Sequence, residues 1–139
     1  MAKPKITVET TVAATIDKAW KYWTSPEHIT KWNFASEDWH CPNAENEVKT
    51  GGRFKSTMAS KDGKMSFDFE GIYDEVLDKK KIAYSLEDGR QVSVVFLDLN
   101  GMTKITETFD AEDVNSVELQ KSGWQSILDN FKKHVESGS

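Results

Sequence analysis

One cysteine, Cys41, is all the sequence has, so no disulfide can form within the chain, and a reducing cytoplasm is the expected setting. Long apolar runs are missing. None approaches the roughly 18 residues of a membrane span, and the opening MAKPKITVET lacks the apolar core of a secretory signal. There is no basic excess either. The net charge is −5 with both signs interspersed, which argues against nucleic acid or an anionic membrane as the main partner. The short run Lys79-Lys80-Lys81 fits a turn between strands better than a binding patch. Metal spacings such as His-x-x-x-His or Cys-x-x-Cys do not occur, so neither a metal nor another cofactor is expected. His40 and Cys41 are adjacent and would point opposite ways in a strand, while His28 and His134 fall on separate, exposed helix faces. Gly51-Gly52 is not a phosphate loop, because no Lys-Ser/Thr follows it before a helix. With no linker, repeat or low-complexity tract, one domain over residues 1–139 is expected.

What the chain does have is aromatic surface and clear periodicity. Four of its five tryptophans, Trp20, Trp23, Trp32 and Trp39, lie within twenty residues, and such side chains fill cores or line apolar pockets. From Ser116 to His134, the residues Val117, Trp124, Ile127, Leu128, Phe131 and Val135 recur at three- and four-residue steps. They predict a long amphipathic helix whose other side, from Glu118 to Lys133, is polar. Asn115 with Glu118 resembles a capping box for it.

Ahead of this helix the pattern is mostly of strands. Lys5–Val12 alternates as a first strand. Thr15 caps a short helix from Ile16 to about Trp23, and Ser25-Pro26 opens a second to about Trp32. Asn33–Glu47 has no period and contains Pro42, which predicts a long loop carrying Phe34 and Trp39; the two either tuck into the core edge or serve function. Five strands then run from Val48 to Asp110, with a bend or bulge at Gly51-Gly52. Asp62-Gly63, Asp88-Gly89 and Asn100-Gly101 favour tight hairpins, so the strands form an antiparallel meander. One face is apolar and aromatic. The other carries Arg53, Lys55, Thr57, Asp68, Glu70, Lys104, Thr106 and Thr108, which makes a paired-carboxylate site at Asp68 and Glu70 improbable. A sheet apolar on one side needs one cover, and the final helix is long enough to be it. The expected architecture is α+β: a curved six-stranded antiparallel sheet with two short helices and one long C-terminal helix.

Glu107 is out of character for its strand. The parity of Ile105 and Phe109 aims its carboxyl at the apolar face, where desolvation raises a carboxyl pKa. There it holds a polar head group or acts as an acid/base. The alternatives are a bulge that turns it to solvent, or a neighbouring Tyr or Arg that satisfies it.

Five stretches carry a resemblance: SPEHITKWN at Ser25–Asn33, DWHCP at Asp38–Pro42, GGRF at Gly51–Phe54, FDFEGIYDEV at Phe67–Val76 and GWQSILDNFKKHVE at Gly123–Glu136. Together with the order of elements they resemble the START-like (helix-grip, birch-pollen-allergen-like) superfamily, in its bacterial branch similar to the activator of the heat-shock protein 90 ATPase. The resemblance implies a cavity between helix and sheet that takes hydrophobic or amphipathic molecules such as lipids, sterols or polyketides. Candidate wall residues are Trp32, Phe34 and Trp39 ahead of the meander, Met58, Phe67, Phe69, Tyr84, Phe96 and Glu107 on the sheet, and Trp124 and Leu128 on the helix. It also implies two alternatives. One is a polyketide-cyclase-type enzyme with Glu107 as acid/base, although no stretch matches the cyclases' catalytic residues. The other is a chaperone-assisting interaction module. The eukaryotic co-chaperone carries a separate N-terminal domain for which this chain has no room, so a chaperone partner is not expected. A monomer or weak dimer is.

Overall fold

The structure, a computed structural model, describes residues 5–34, 37–87, 89–112 and 115–137. Seven strands and three helices follow in the order β1 (Lys5–Val12), α1 (Ile16–Thr24), α2 (Pro26–Trp32), β2 (Trp39–Asn46), β3 (Arg53–Ser60), β4 (Ser66–Leu77), β5 (Lys81–Leu86), β6 (Gln91–Asp98), β7 (Thr103–Asp110) and α3 (Val117–Glu136). The strands make one curled antiparallel sheet, ordered β1-β7-β6-β5-β4-β3-β2. This is the helix-grip architecture, with one strand more than the alternation of apolar residues indicates. β1 and β2 are neighbours in sequence but occupy opposite edges, so α1 and α2 must bridge the sheet from edge to edge.

The additional strand is β2, in the segment whose sequence reads as a loop. Its register with β3 shifts between His40 and Asn43. Trp39 and Cys41 point inward before the shift, Ala44 and Asn46 after it, so no unbroken period of two survives. Pro42 sits at the irregularity of an edge strand, one of the few sheet positions where a missing N–H is tolerated. Gly51-Gly52 lies in the turn ahead of β3, and the other break within a strand is in β4. It lies between Tyr73 and Glu75, and it keeps both Tyr73 and Val76 on the inner side of a twelve-residue strand. Gly52 is required by space, since a Cβ there would meet the Glu47 carbonyl oxygen at 2.2 Å. Asn100 and Gly101 both take positive φ, as a type I′ hairpin demands. Asp88, in the Asp88-Gly89 turn, lies outside the described residues.

α3 begins one residue later than the capping pattern indicates. The Ser116 side chain accepts from the Leu119 N–H and is the cap, while Asn115 bonds Glu112 instead. Val117 is exposed and lies ahead of the buried stripe; Gln120 is buried in its place and ties down the β7–α3 connection through Glu112 and Asn115. Leu128, Phe131 and Val135 are fully buried against the sheet together with Val8, Ile105 and Phe109. The polar flank of α3 covers the free edge of β1. Gln125 donates to the Glu9 carbonyl, Lys132 donates to the Thr11 carbonyl, and Glu136 accepts from the Ala13 N–H. An open row of strand groups is thereby partly closed.

Candidate functional site

α3 lies along β1 and α2 along β2, so the two helices leave a space over the middle of the sheet. It is a cavity of about 300 Å³, at the lower end of small-molecule pockets, which run from roughly 300 to 1,000 Å³. Its floor is the inward parity of β3, β4 and β5: Phe54, Ser56 and Met58, then Phe67, Phe69 and Tyr73, then Ile82 and Tyr84. Trp124 and Ile127 of α3 roof one side, and Trp23, Ile29 and Trp32 close the end formed by α1 and α2.

Aromatic rings form a continuous belt. Phe54 meets Tyr84 edge to face at 4.7 Å between centroids, Phe69 lies 6.4 Å from Tyr84, and Trp124 lies 6.1 Å from Phe69. Trp124 is itself stacked on Phe109 at 3.8 Å, which fixes the roof to the sheet. The glycine at 71 makes room for the belt, because a Cβ there would meet the Phe54 ring at 3.0 Å and the Ser85 carbonyl oxygen at 2.6 Å. Tyr73 donates from its hydroxyl to the Asn46 side-chain oxygen, and Asn46 donates in turn to the Thr24 carbonyl. This chain of bonds joins β4, β2 and α1 around the wall.

Glu107 is the chemical centre of the cavity. It sits in a cross-strand row with Ile82, Val94 and Val8, and Tyr84 lies near it. The residue is 5% exposed. No hydrogen bond from a described residue reaches its carboxyl, and its oxygens open onto the cavity. Desolvation pushes its pKa up to about 8. Burial also raises Tyr84 well above an ordinary phenol, and the nearby Glu107 adds to this. Tyr73 is raised by burial too. Neither a bulge nor a neighbouring Tyr or Arg relieves Glu107.

Seven of the sequence candidates line the cavity: Trp32, Met58, Phe67, Phe69, Tyr84, Glu107 and Trp124. Four do not. Phe96 points inward, but the edges of Trp20 and Trp23 fill the space above it. Leu128 is fully buried in the solid part of the core. Trp39 is half-buried beside Phe67, and Phe34 is held by Asn130, which donates to its carbonyl. Phe54, Ser56 and Tyr73 join the wall, and strand parity already aimed them there. Glu45 and Asn46 belong to the strand the pattern concealed.

Elsewhere the candidate groups are occupied. Cys41 is buried, its thiol donates to the Asn43 carbonyl, and burial raises its pKa. Asp68 accepts from Thr57 on the outer face, and a bond to Glu87 raises the exposed Glu70 carboxyl. His28 and His134, on separate helices, meet at 3.0 Å and are half-buried rather than exposed. Among the described residues no group of three His, Cys, Asp or Glu could hold a metal. No helix among them is long and apolar enough to cross a membrane.

The family described as Activator of Hsp90 ATPase homolog 1-like protein matches residues 13–136. A solution NMR structure of an AHSA1-like protein from Aeromonas hydrophila is 41% identical; 97% of this chain and 94% of that chain align, with a TM-score of 0.91. A solution structure from Cytophaga hutchinsonii is 54% identical over 96% of this chain and 93% of that chain, with a TM-score of 0.83. A crystal structure from Nitrosomonas europaea shares the fold at 16% identity, with a TM-score of 0.81 over 96% and 95% of the two chains. No curated protein matches.

Proposed function

The chain belongs to the Activator of Hsp90 ATPase homolog 1-like family of the START-like superfamily, and on that premise we propose that it binds an apolar or amphipathic small molecule between the sheet and α3. The observation that carries this reading is the 300 Å³ cavity, whose wall is aromatic and aliphatic with one buried carboxyl. Pockets with mostly apolar walls and few, convergent polar groups suit such ligands. A reducing, cytoplasmic setting suits the single buried thiol of Cys41.

The test is mass spectrometry of small molecules that copurify with the native protein, run beside Ile127→Trp, which fills the cavity from the roof. A ligand retained by the wild type and lost from a folded Ile127→Trp protein is the expected result. Equal retention by both would place the ligand elsewhere and end this reading.

A second reading is an acid/base reaction at Glu107, favoured by its raised pKa of about 8, near neutrality where proton transfer is most effective. Turnover of a candidate ketone or ester that survives Glu107→Gln would dispose of it.

A further inference from the structure

The charge of the cavity wall narrows what the cavity accepts. Among the described residues its lining includes three carboxyls, Glu45, Glu107 and Glu112, one guanidinium, Arg90, and two phenols, Tyr73 and Tyr84. Glu45 is exposed at the rim, and Glu112 accepts from the Asn115 backbone and side-chain amides. Of the carboxyls, Glu107 alone is buried, faces the interior and has no hydrogen-bond partner among the described residues.

A ligand that displaces water from such a carboxyl must replace the water's hydrogen bonds or leave the group orphaned. A purely apolar ligand replaces nothing. An anionic ligand sets like charges together in a medium of low dielectric wherever Glu107 is ionised. A ligand ammonium supplies the opposite charge and N–H donors. Aromatic rings also cluster in this wall, with Phe54, Phe69 and Tyr73 at 4.7, 6.4 and 6.3 Å from Tyr84. Aromatic faces attract cations, most strongly where both are desolvated.

We infer that the cavity selects a cationic amphiphile, with its apolar body under α3 and its ammonium group at Glu107. The inference rests on the small-molecule reading above and names the ligand class for the same cavity. It carries a proton balance. Burial keeps the Glu107 carboxyl protonated at neutral pH, so an arriving ammonium drives its proton out to solvent. Tyr84 of β5, Tyr73 of β4 and Arg90 ahead of β6 line the same cavity, and burial keeps the two phenols neutral throughout this range. α3 presents only Trp124 and Ile127 there. Glu107 is thus the group whose titration ammonium binding senses.

The experiment is calorimetric titration of the full chain with octylamine, 1-octanol and octanoate at pH 8.5. Octylamine should bind at least tenfold more tightly than octanol, with octanoate weakest, and Glu107→Gln should bring octylamine down to the affinity of octanol. In the wild type the octylamine affinity should rise about tenfold per pH unit from pH 6 towards 8 while that of octanol stays level. That profile needs no variant to fold. Octanol or octanoate binding as tightly as octylamine, or a flat octylamine profile, overturns the inference and leaves the cavity reading standing. If none of the three probes binds, both fall.

Discussion

His28 Nδ1 and His134 Nε2 lie 3.0 Å apart, so a single hydrogen bond joins α2 to α3 across 106 residues of sequence. Tyr22 stacks on His28 at 3.8 Å and extends the contact to α1. The bond needs one ring to donate and the other to accept, which both can do only while at least one is neutral. Burial lowers both pKa values first. Lys31 opposes protonation at both rings, with Lys21 acting on His28 and Lys18 on His134, and only Glu27 favours protonation, at His28.

With folded pKa values below the unfolded 6.5, the unfolded chain takes up these protons more readily. The pair therefore loses stabilisation as pH falls below 6.5. Urea denaturation of wild type and of a His28→Gln/His134→Gln protein should converge between pH 7.5 and pH 5. A gap that widens on acidification would contradict the assignment. Side-chain NMR titration of the two rings, with midpoints below 6.5, is the direct check.

The pH dependence of Glu107 runs the other way. Its folded pKa, about 8, is above the unfolded 4.5, so its contribution is complete below pH 4.5 and is lost as pH rises through 8. Relative to wild type, Glu107→Gln should gain on the order of a few kcal/mol between pH 5 and pH 9. Equal denaturation midpoints for the two proteins at both pH values would mean that the carboxyl is not desolvated.

Core and cavity wall should respond differently to truncation. Leu128 and Phe131 are fully buried in the packed part of α3, and replacing either by Ala should cost about 2–5 kcal/mol. Trp124→Ala opens an existing cavity instead, so it should cost less stability than Phe131→Ala while weakening ligand binding more than tenfold. Chemical denaturation and titration with one bound probe separate the two effects. The reverse ranking would place the ligand site elsewhere.

Gly71→Ala should cost more than the roughly 1 kcal/mol typical of a point substitution. The backbone carbonyl of Ser85, 2.6 Å from the added carbon, cannot swing aside, and the Phe54 ring must move into the cavity. Thermal denaturation and near-ultraviolet dichroism report both consequences. An unperturbed aromatic signal would show that the ring does not rest on this glycine.

Much of this molecule was legible because period and function coincide. β3 and β5 to β7 alternate cleanly, β4 does so up to Tyr73, three of their four turns carry Asp-Gly or Asn-Gly, and α3 shows its stripe, so the sheet, its inner face and its cover could be read. Glu107 stood out because a carboxyl broke that alternation. β2 could not be read, since its irregularity at Cys41-Pro42 resets the parity by which a strand is recognised. Phe96 and Leu128 mark a different limit. Periodicity says which face a side chain takes, and whether another element fills the space opposite is a tertiary fact. The His28–His134 contact is of the same kind, because nothing in either helix names the other.

The pairing of β1 with β7 has a consequence for how the chain is made. Lys5 lies opposite Asp110, and α3, which covers the far edge of β1, comes later still. During synthesis the first strand therefore emerges with Ile6, Val8 and Val12 unburied, and it waits for nearly all the rest before it has a partner or a cover. Contacts of such sequence separation are slow to form. The meander from β3 to β7, built from neighbours in sequence, can assemble earlier. Closing the grip therefore has to wait until β7 and α3 have been made, and until then the apolar side of β1 is uncovered.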